Sequence, residues 1–224
     1  MDDVRIYSRS LSASEIGQLY NLGNVTANAT PADALKAGLV GWWTFDGKDT
    51  SWTSSSAGTT RDLSGNNNDG TLTGMSQSVS TVPGKLGQGL DSIGGGYVAV
   101  SNQLAITNDF TFSGWIKRNS YVFDDDNDFT TIVAKTDGST QFDFLFYVCS
   151  SHNGGTCGGT NADRLGFYDD AVVTSDVRSS IGAIADKNWH HVAVTRSGGT
   201  LQFYTDGVPG DSFAVGAGAL DNRS

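Results

Sequence analysis

Met1-Asp2-Asp3-Val4-Arg5-Ile6-Tyr7 opens the chain, and Ser8-Arg9-Ser10-Leu11-Ser12-Ala13-Ser14-Glu15-Ile16 follows directly. Val4 and Ile6 alternate with Asp3, Arg5 and Tyr7, the period-two pattern of a strand with one buried face. The pattern then changes. Ser12 and Glu15 are spaced as a capping box, in which each side chain satisfies an orphan backbone N–H at a helix start. Leu11 and Ile16 occupy the hydrophobic-staple positions around it. Ile16, Leu19 and Tyr20 share one face of a short helix that Gly23 can stop. A strand running into a capped helix has the form of a domain's end, yet here it comes first.

Composition narrows the class of the remainder. In 224 residues, 38% apolar content supports a packed core, and 29 Gly against 3 Pro favours many short strands joined by tight turns. The formal net charge of −10 argues against nucleic acid or an anionic membrane surface as partner. Glu15 is the only glutamate, so the acid is almost all Asp, a residue that caps turns and also ligates calcium. Cys149 and Cys157 bracket a short Ser- and Gly-rich loop. No spacing supplies the four ligands of a structural zinc site, which leaves a local disulfide or free thiols. A disulfide implies an oxidising location. No signal peptide or membrane-spanning run is visible.

Residues 24–37 are small, polar and without periodicity, and read as a linker between a strand–helix piece at 1–23 and a body at 38–224. Asn24, Asn28 and Asn222 lie in N-x-Thr/Ser sequons. In the body, Gly38–Asp46 is a strand with apolar residues on both faces, Val40 and Trp42 one way, Leu39, Trp43 and Phe45 the other. A polar stretch from Gly47 to Arg61 and the turn-rich Asp62–Leu72 follow. Gly84–Asp91 and Tyr97–Val100 read as strands around the Gly94-Gly95-Gly96 turn. Phe110–Lys117 and Thr130–Ala134 are further strands. Phe142–Val148 with Arg164–Tyr168, and Trp189–Arg196 with Leu201–Asp206, have the form of hairpins.

GLVGWWTFDG, DLSGNNNDGTL, GKLGQGLD, YVAV, FTFSGWIK, TIVAK, NWHHVAVTRSGGTLQFYTDG and MDDVRIYSRSLSASEI together resemble the LamG-like, concanavalin A-like jelly-roll family. The resemblance implies an all-β, two-sheet antiparallel jelly-roll sandwich, with roughly six or seven strands per sheet and one short N-terminal helix. It also implies that the DDVRIY strand and its helix, which in such domains come last, are displaced to the N-terminus, leaving a body without its own last strand. A sandwich missing a strand exposes unpaired N–H and C=O groups and a bare stripe of core. Val4, Ile6 and Tyr7, with Leu11 and Ile16, are the residues expected to fill that slot. They can do so in a neighbouring copy, building an open head-to-tail fibre, or in their own body; otherwise the strand dangles.

The reading that follows is a non-catalytic extracellular or cell-surface adhesion module whose partners are other copies of the chain. The alternative is a monomeric, calcium-dependent module closed in cis that binds glycans or glycoproteins. Asp46, Asp62, Asn66, Asp69 and Asp3 are the expected Ca²⁺ ligands, set against a role in capping turns. Trp52, Tyr121, Phe123 and Tyr168 are the aromatics that could hold a sugar or cover the core. Catalysis is not expected. The Glu-x-Asp-x-Glu strand of laminarinase-type relatives is absent, and nothing selects Asp143 with Asp169 or Asp170 as a substitute pair. His190 and His191 are neighbours on a strand, face opposite sides and do not chelate.

Overall fold

A computed structural model of the chain describes residues 1–24, 33–92, 94–100, 104, 106, 108–118, 129–136, 142–149, 163–169, 177–179 and 184–216. The chain runs through β1 (Asp2–Tyr7), α1 (Ala13–Leu22), β2 (Leu39–Trp43), β3 (Thr50–Ser54), β4 (Ala57–Thr60) and β5 (Gly70–Thr73). Next come α2 (Gln77–Ser80), β6 (Thr81–Pro83), β7 (Gln88–Leu90), β8 (Tyr97–Val100), β9 (Phe110–Lys117), β10 (Phe129–Thr136) and β11 (Phe142–Cys149). It finishes with β12 (Leu165–Asp169), β13 (Val177–Arg178), β14 (Trp189–Ser197), β15 (Thr200–Thr205) and β16 (Val208–Ala214).

Among the described residues, six strands form one sheet in the order β16-β15-β14-β9-β1-β2. The opposing layer is divided, among the described residues, into β3-β4-β5-β8 and β10-β11-β12-β13, with β6-β7 as a small separate ribbon. One core joins the layers. Phe110, Phe112, Val192 and Val194 of the six-stranded sheet pack with Phe144, Phe146 and Phe167 and with Leu72 of the other two. Phe112 stacks on Phe144 with ring centroids 5.2 Å apart. The alternation along β9 and β11 accounts for this, since every second residue meets the facing layer. Leu145, Tyr147 and Cys149 project the opposite way and form a smaller cluster with Phe129, Phe142 and Tyr168.

The N-terminal strand lies inside its own chain's main sheet. It pairs antiparallel with β2 (Ile6 opposite Gly41) and with β9 (Ile6 opposite Phe112). Val4 and Ile6 enter the main core, and all six residues of β1 are buried. Helix α1 then crosses the outer face, where Tyr7, Leu11, Ile16 and Leu19 pack with Ala193 and Tyr204. Its capping box is formed as the sequence predicts: Glu15 N–H donates to Ser12 Oγ and Ser12 N–H to Glu15 Oε2. Tyr20 stacks on Trp115 at 5.6 Å. Gly23 is required here, because a Cβ at that position would run into the Trp115 ring.

Several local expectations need correction. Strict alternation put Val40 with Trp42, but Val40 and Trp43 both enter the core while Trp42 faces outward against Arg5. The β1–β2 ladder shifts register between Ile6 and Tyr7, and the extra residue on β2 inverts the alternation beyond it. A second irregularity lies between Asp2 and Arg5 on the β9 side, where Asp3 adopts a φ of 47° that Asp tolerates better than most residues. Gly84–Asp91 does not pair with Tyr97–Val100. The turn at Gly84–Gly87 instead joins β6 to β7, while β8 pairs with β5. The polar stretch from Gly47 to Arg61 contains the β3–β4 hairpin, and β16 follows the Asp206-Gly207 turn.

Candidate functional site

The outer surface of β1 and β2 carries a buried polar cluster. Asp3 and Arg5 are ion-paired at 3.2 Å with side chains almost wholly shielded from solvent. The guanidinium also lies 4.4 Å from the centroid of Trp42, whose Nε1–H donates to Asp3 Oδ1 at 2.6 Å. Asp3 therefore accepts from both groups, which is what a buried carboxylate requires. Asp2 lies one residue earlier. Its Oδ2 accepts from Leu86 N–H at 2.7 Å, while Oδ1 has no hydrogen-bond partner. Burial, with Asp3 nearby, pushes its pKa up to about 7.

The segment after β4 closes the free edge of β2. Asp62 accepts from Trp42 N–H at 2.9 Å, Ser64 N–H at 2.8 Å and Asn68 N–H at 2.9 Å. Ser64 Oγ, Asn66 Nδ2 and Asn68 Nδ2 all donate to Val40 C=O, and Asn66 Nδ2 also to Leu39 C=O. Asp69 in turn accepts from Asp62 N–H at 2.8 Å. An exposed strand edge is a template for pairing with another chain. Here a polar loop satisfies part of that edge instead of a further strand.

The five expected calcium ligands thus fall in three places. Asp62, Asn66 and Asp69 hold the loop against β2; Asp3 holds Arg5 and Trp42. Asp46 accepts from Gln88 N–H at 2.9 Å in the β6–β7 ribbon and lies 3.7 Å from Lys48. Among the described residues, no three His, Cys, Asp or Glu side chains gather where they could hold a metal ion. Asp2 and Asp46 together grip the Gly84–Gln88 turn through its backbone N–H groups. Asp2, the sequence's alternative to Asp3 beside the expected calcium ligands, holds a backbone turn. Its strand position signalled only alternation, and the register shift beside it was not legible.

Among the aromatics considered for sugar binding, Trp52 packs against the main core and Tyr168 against the outer cluster of β11. Tyr121 and Phe123 lie outside the described residues, as do Asp170, Asn28 and Asn222. Asn24 is exposed and accepts from Lys85 Nζ at 3.0 Å. Cys149 is fully buried at the end of β11; Cys157, its expected disulfide partner, is outside the described residues.

Asp143 and Asp169 do not form a catalytic pair. Asp169 sits opposite Phe144 in the β11–β12 ladder, so Asp143, one residue away, projects from the other face of the sheet. There it pairs with Lys135 at 3.5 Å. The two histidines also part company. His190 bridges Asp186 and Asp206, each at 2.8 Å; burial opposes its charge, but the two carboxylates outweigh it and raise its pKa. His191 is buried against Ser113 Oγ at 2.9 Å, and burial lowers its pKa to about 4.

Two packed antiparallel layers, a sheet-spanning aromatic core and a helix over one outer face define a concanavalin A-like sandwich. The sequence comparison agrees: residues 92–224 match the Laminin_G_3 family model, described as the concanavalin A-like lectin/glucanases superfamily. The match covers more than half of the chain, and the protein belongs to this family. No curated protein matches the chain, and no solved structure does. Membership supports a carbohydrate-binding or adhesion-type module in general.

Proposed function

We propose that the protein is a non-catalytic, extracellular recognition module that works as a closed unit, its own β1 completing the main sheet, with a glycan or glycoprotein as its ligand. The observation that carries this reading is the position of β1, hydrogen-bonded to β2 on one side and β9 on the other. A second support is the loop at residues 62–69, which occupies part of the edge where another chain's strand would add. Among the described residues, no helix is long and apolar enough to cross a membrane.

Head-to-tail donation of β1 is the second reading. The same ladders would form if β1 and α1 entered a neighbouring copy, because the β1 slot is defined by β2 and β9 and not by the connection that leads to it. Light scattering on the purified chain separates the two: a single monomeric species supports closure in cis, and concentration-dependent polymers support donation. Immobilised polysaccharides and glycoproteins, probed with the monomer, then test recognition. Absence of binding to every member of a broad glycan panel would count against the ligand class.

A further inference from the structure

Among the described residues, the divided layer leaves an opening in the sandwich. β8 and β10 are both terminal strands of their sheets among the described residues, and no ladder joins them. A partly open cavity of about 770 Å³ lies between them. Val4 and Ile6 of β1 and Trp43 and Phe45 at β2 line it from the main sheet, and Val100 and Ile132 line it from the two flanking strands.

Its size lies within the range of small-molecule pockets, about 300–1,000 Å³. Protein interiors hold few voids larger than a water molecule. Water does not settle in space lined by apolar side chains without polar partners. The wall's polar side chains include Ser92, Thr130 and Thr136, and the Lys135 ammonium is already matched by Asp143. The lining is predominantly apolar, which favours a ligand with a long hydrocarbon portion over a sugar.

We infer that this opening is a binding site for an elongated apolar small molecule with one polar end, chemically a long-chain fatty acid, whose carboxylate stays at the mouth in water. The chain would lie along the slot between β8 and β10, over the β1–β2 floor. The inference does not rest on the proposed recognition role.

The test is a fluorescence titration of the purified chain with cis-parinaric acid, followed by displacement with hexadecanoic acid. Saturable binding of one probe per chain, displaced by the fatty acid and untouched by soluble oligosaccharides, is expected. Val100→Trp and Ile132→Phe, which place extra carbon in the opening, should each weaken binding at least tenfold while keeping the far-ultraviolet circular dichroism of the parent. Absence of saturable binding to the parent chain overturns the inference. Undiminished binding by a folded Val100→Trp or Ile132→Phe variant also overturns it. If neither variant folds, the titration of the parent decides.

Discussion

Arg5 lies with its guanidinium 4.4 Å from the centroid of Trp42, joining β1 to β2 across their shared outer face. Asp3 holds both through its carboxylate. The two strands are separated in sequence by a helix and a connection, so this contact and the ladder beside it fasten the N-terminal piece to the body. Removing one partner of a buried ion pair leaves the other charge uncompensated, typically costing about 3–5 kcal/mol. Asp3→Ala should therefore lower stability by about that much in urea denaturation. The double variant Asp3→Asn with Arg5→Met should lose clearly less than the sum of the losses of Asp3→Asn and Arg5→Met measured singly.

Ile6 is 3% exposed and faces the inter-layer core between Gly41 and Phe112. Ile6→Asp buries a charge without a partner and should cost several kcal/mol. Because β1 is an interior strand of the main sheet, the whole sandwich should melt earlier and still in one transition. A variant whose body keeps the parent melting temperature would show that β1 does not complete that body.

Asp2 gives the opening strand a pH dependence. Its folded-state pKa, raised to about 7 by burial, exceeds its unfolded value of 3.8, so the fold favours the protonated form. The associated stability is fully present below about pH 3.8 and is lost as the pH rises through about 7. Asp2→Asn keeps an oxygen for Leu86 N–H and removes the charge. It should stabilise the protein at pH 8 by about 2–4 kcal/mol, with little effect at pH 4. Equal melting temperatures for parent and variant at pH 8 would refute this.

Asp62 accepts from the backbone N–H groups of Trp42, Ser64 and Asn68 and from Ser64 Oγ. Asp62→Ala strands those donors at the β2 edge and should cost about 2–4 kcal/mol. Since this carboxylate is occupied by N–H and O–H donors, excess EDTA should leave the melting temperature of the parent unchanged. A fall on chelation, reversed by calcium, would show that a metal shares these oxygens.

The parts of the fold legible in the sequence are those set by near neighbours. The Ser12–Glu15 capping box, the β14–β15 hairpin and the β11–β12 pair appear where the local pattern places them. So do the divergent sides of His190 and His191, since adjacent strand residues point apart. β3, β4 and β16 escaped notice because their half-exposed residues carry a weak apolar alternation. The candidate site was less legible. Asp46, Asp62, Asn66, Asp69 and Asp3 were picked as oxygen donors, and the side-chain type cannot say whether a metal or a backbone N–H will meet the oxygen.

By itself the sequence determined a β-rich sandwich and a strand–helix piece equipped to fill a slot, because alternation, turn residues and caps act within a few residues of one another. Tertiary structure decided which slot receives β1, that its ladder with β2 changes register at Ile6, and that the Asp62–Asp69 loop covers the β2 edge. Those outcomes depend on hydrogen bonds and packing between groups far apart in the chain. Only the folded backbone brings Val4 and Ile6 to the same cavity as Val100 and Ile132.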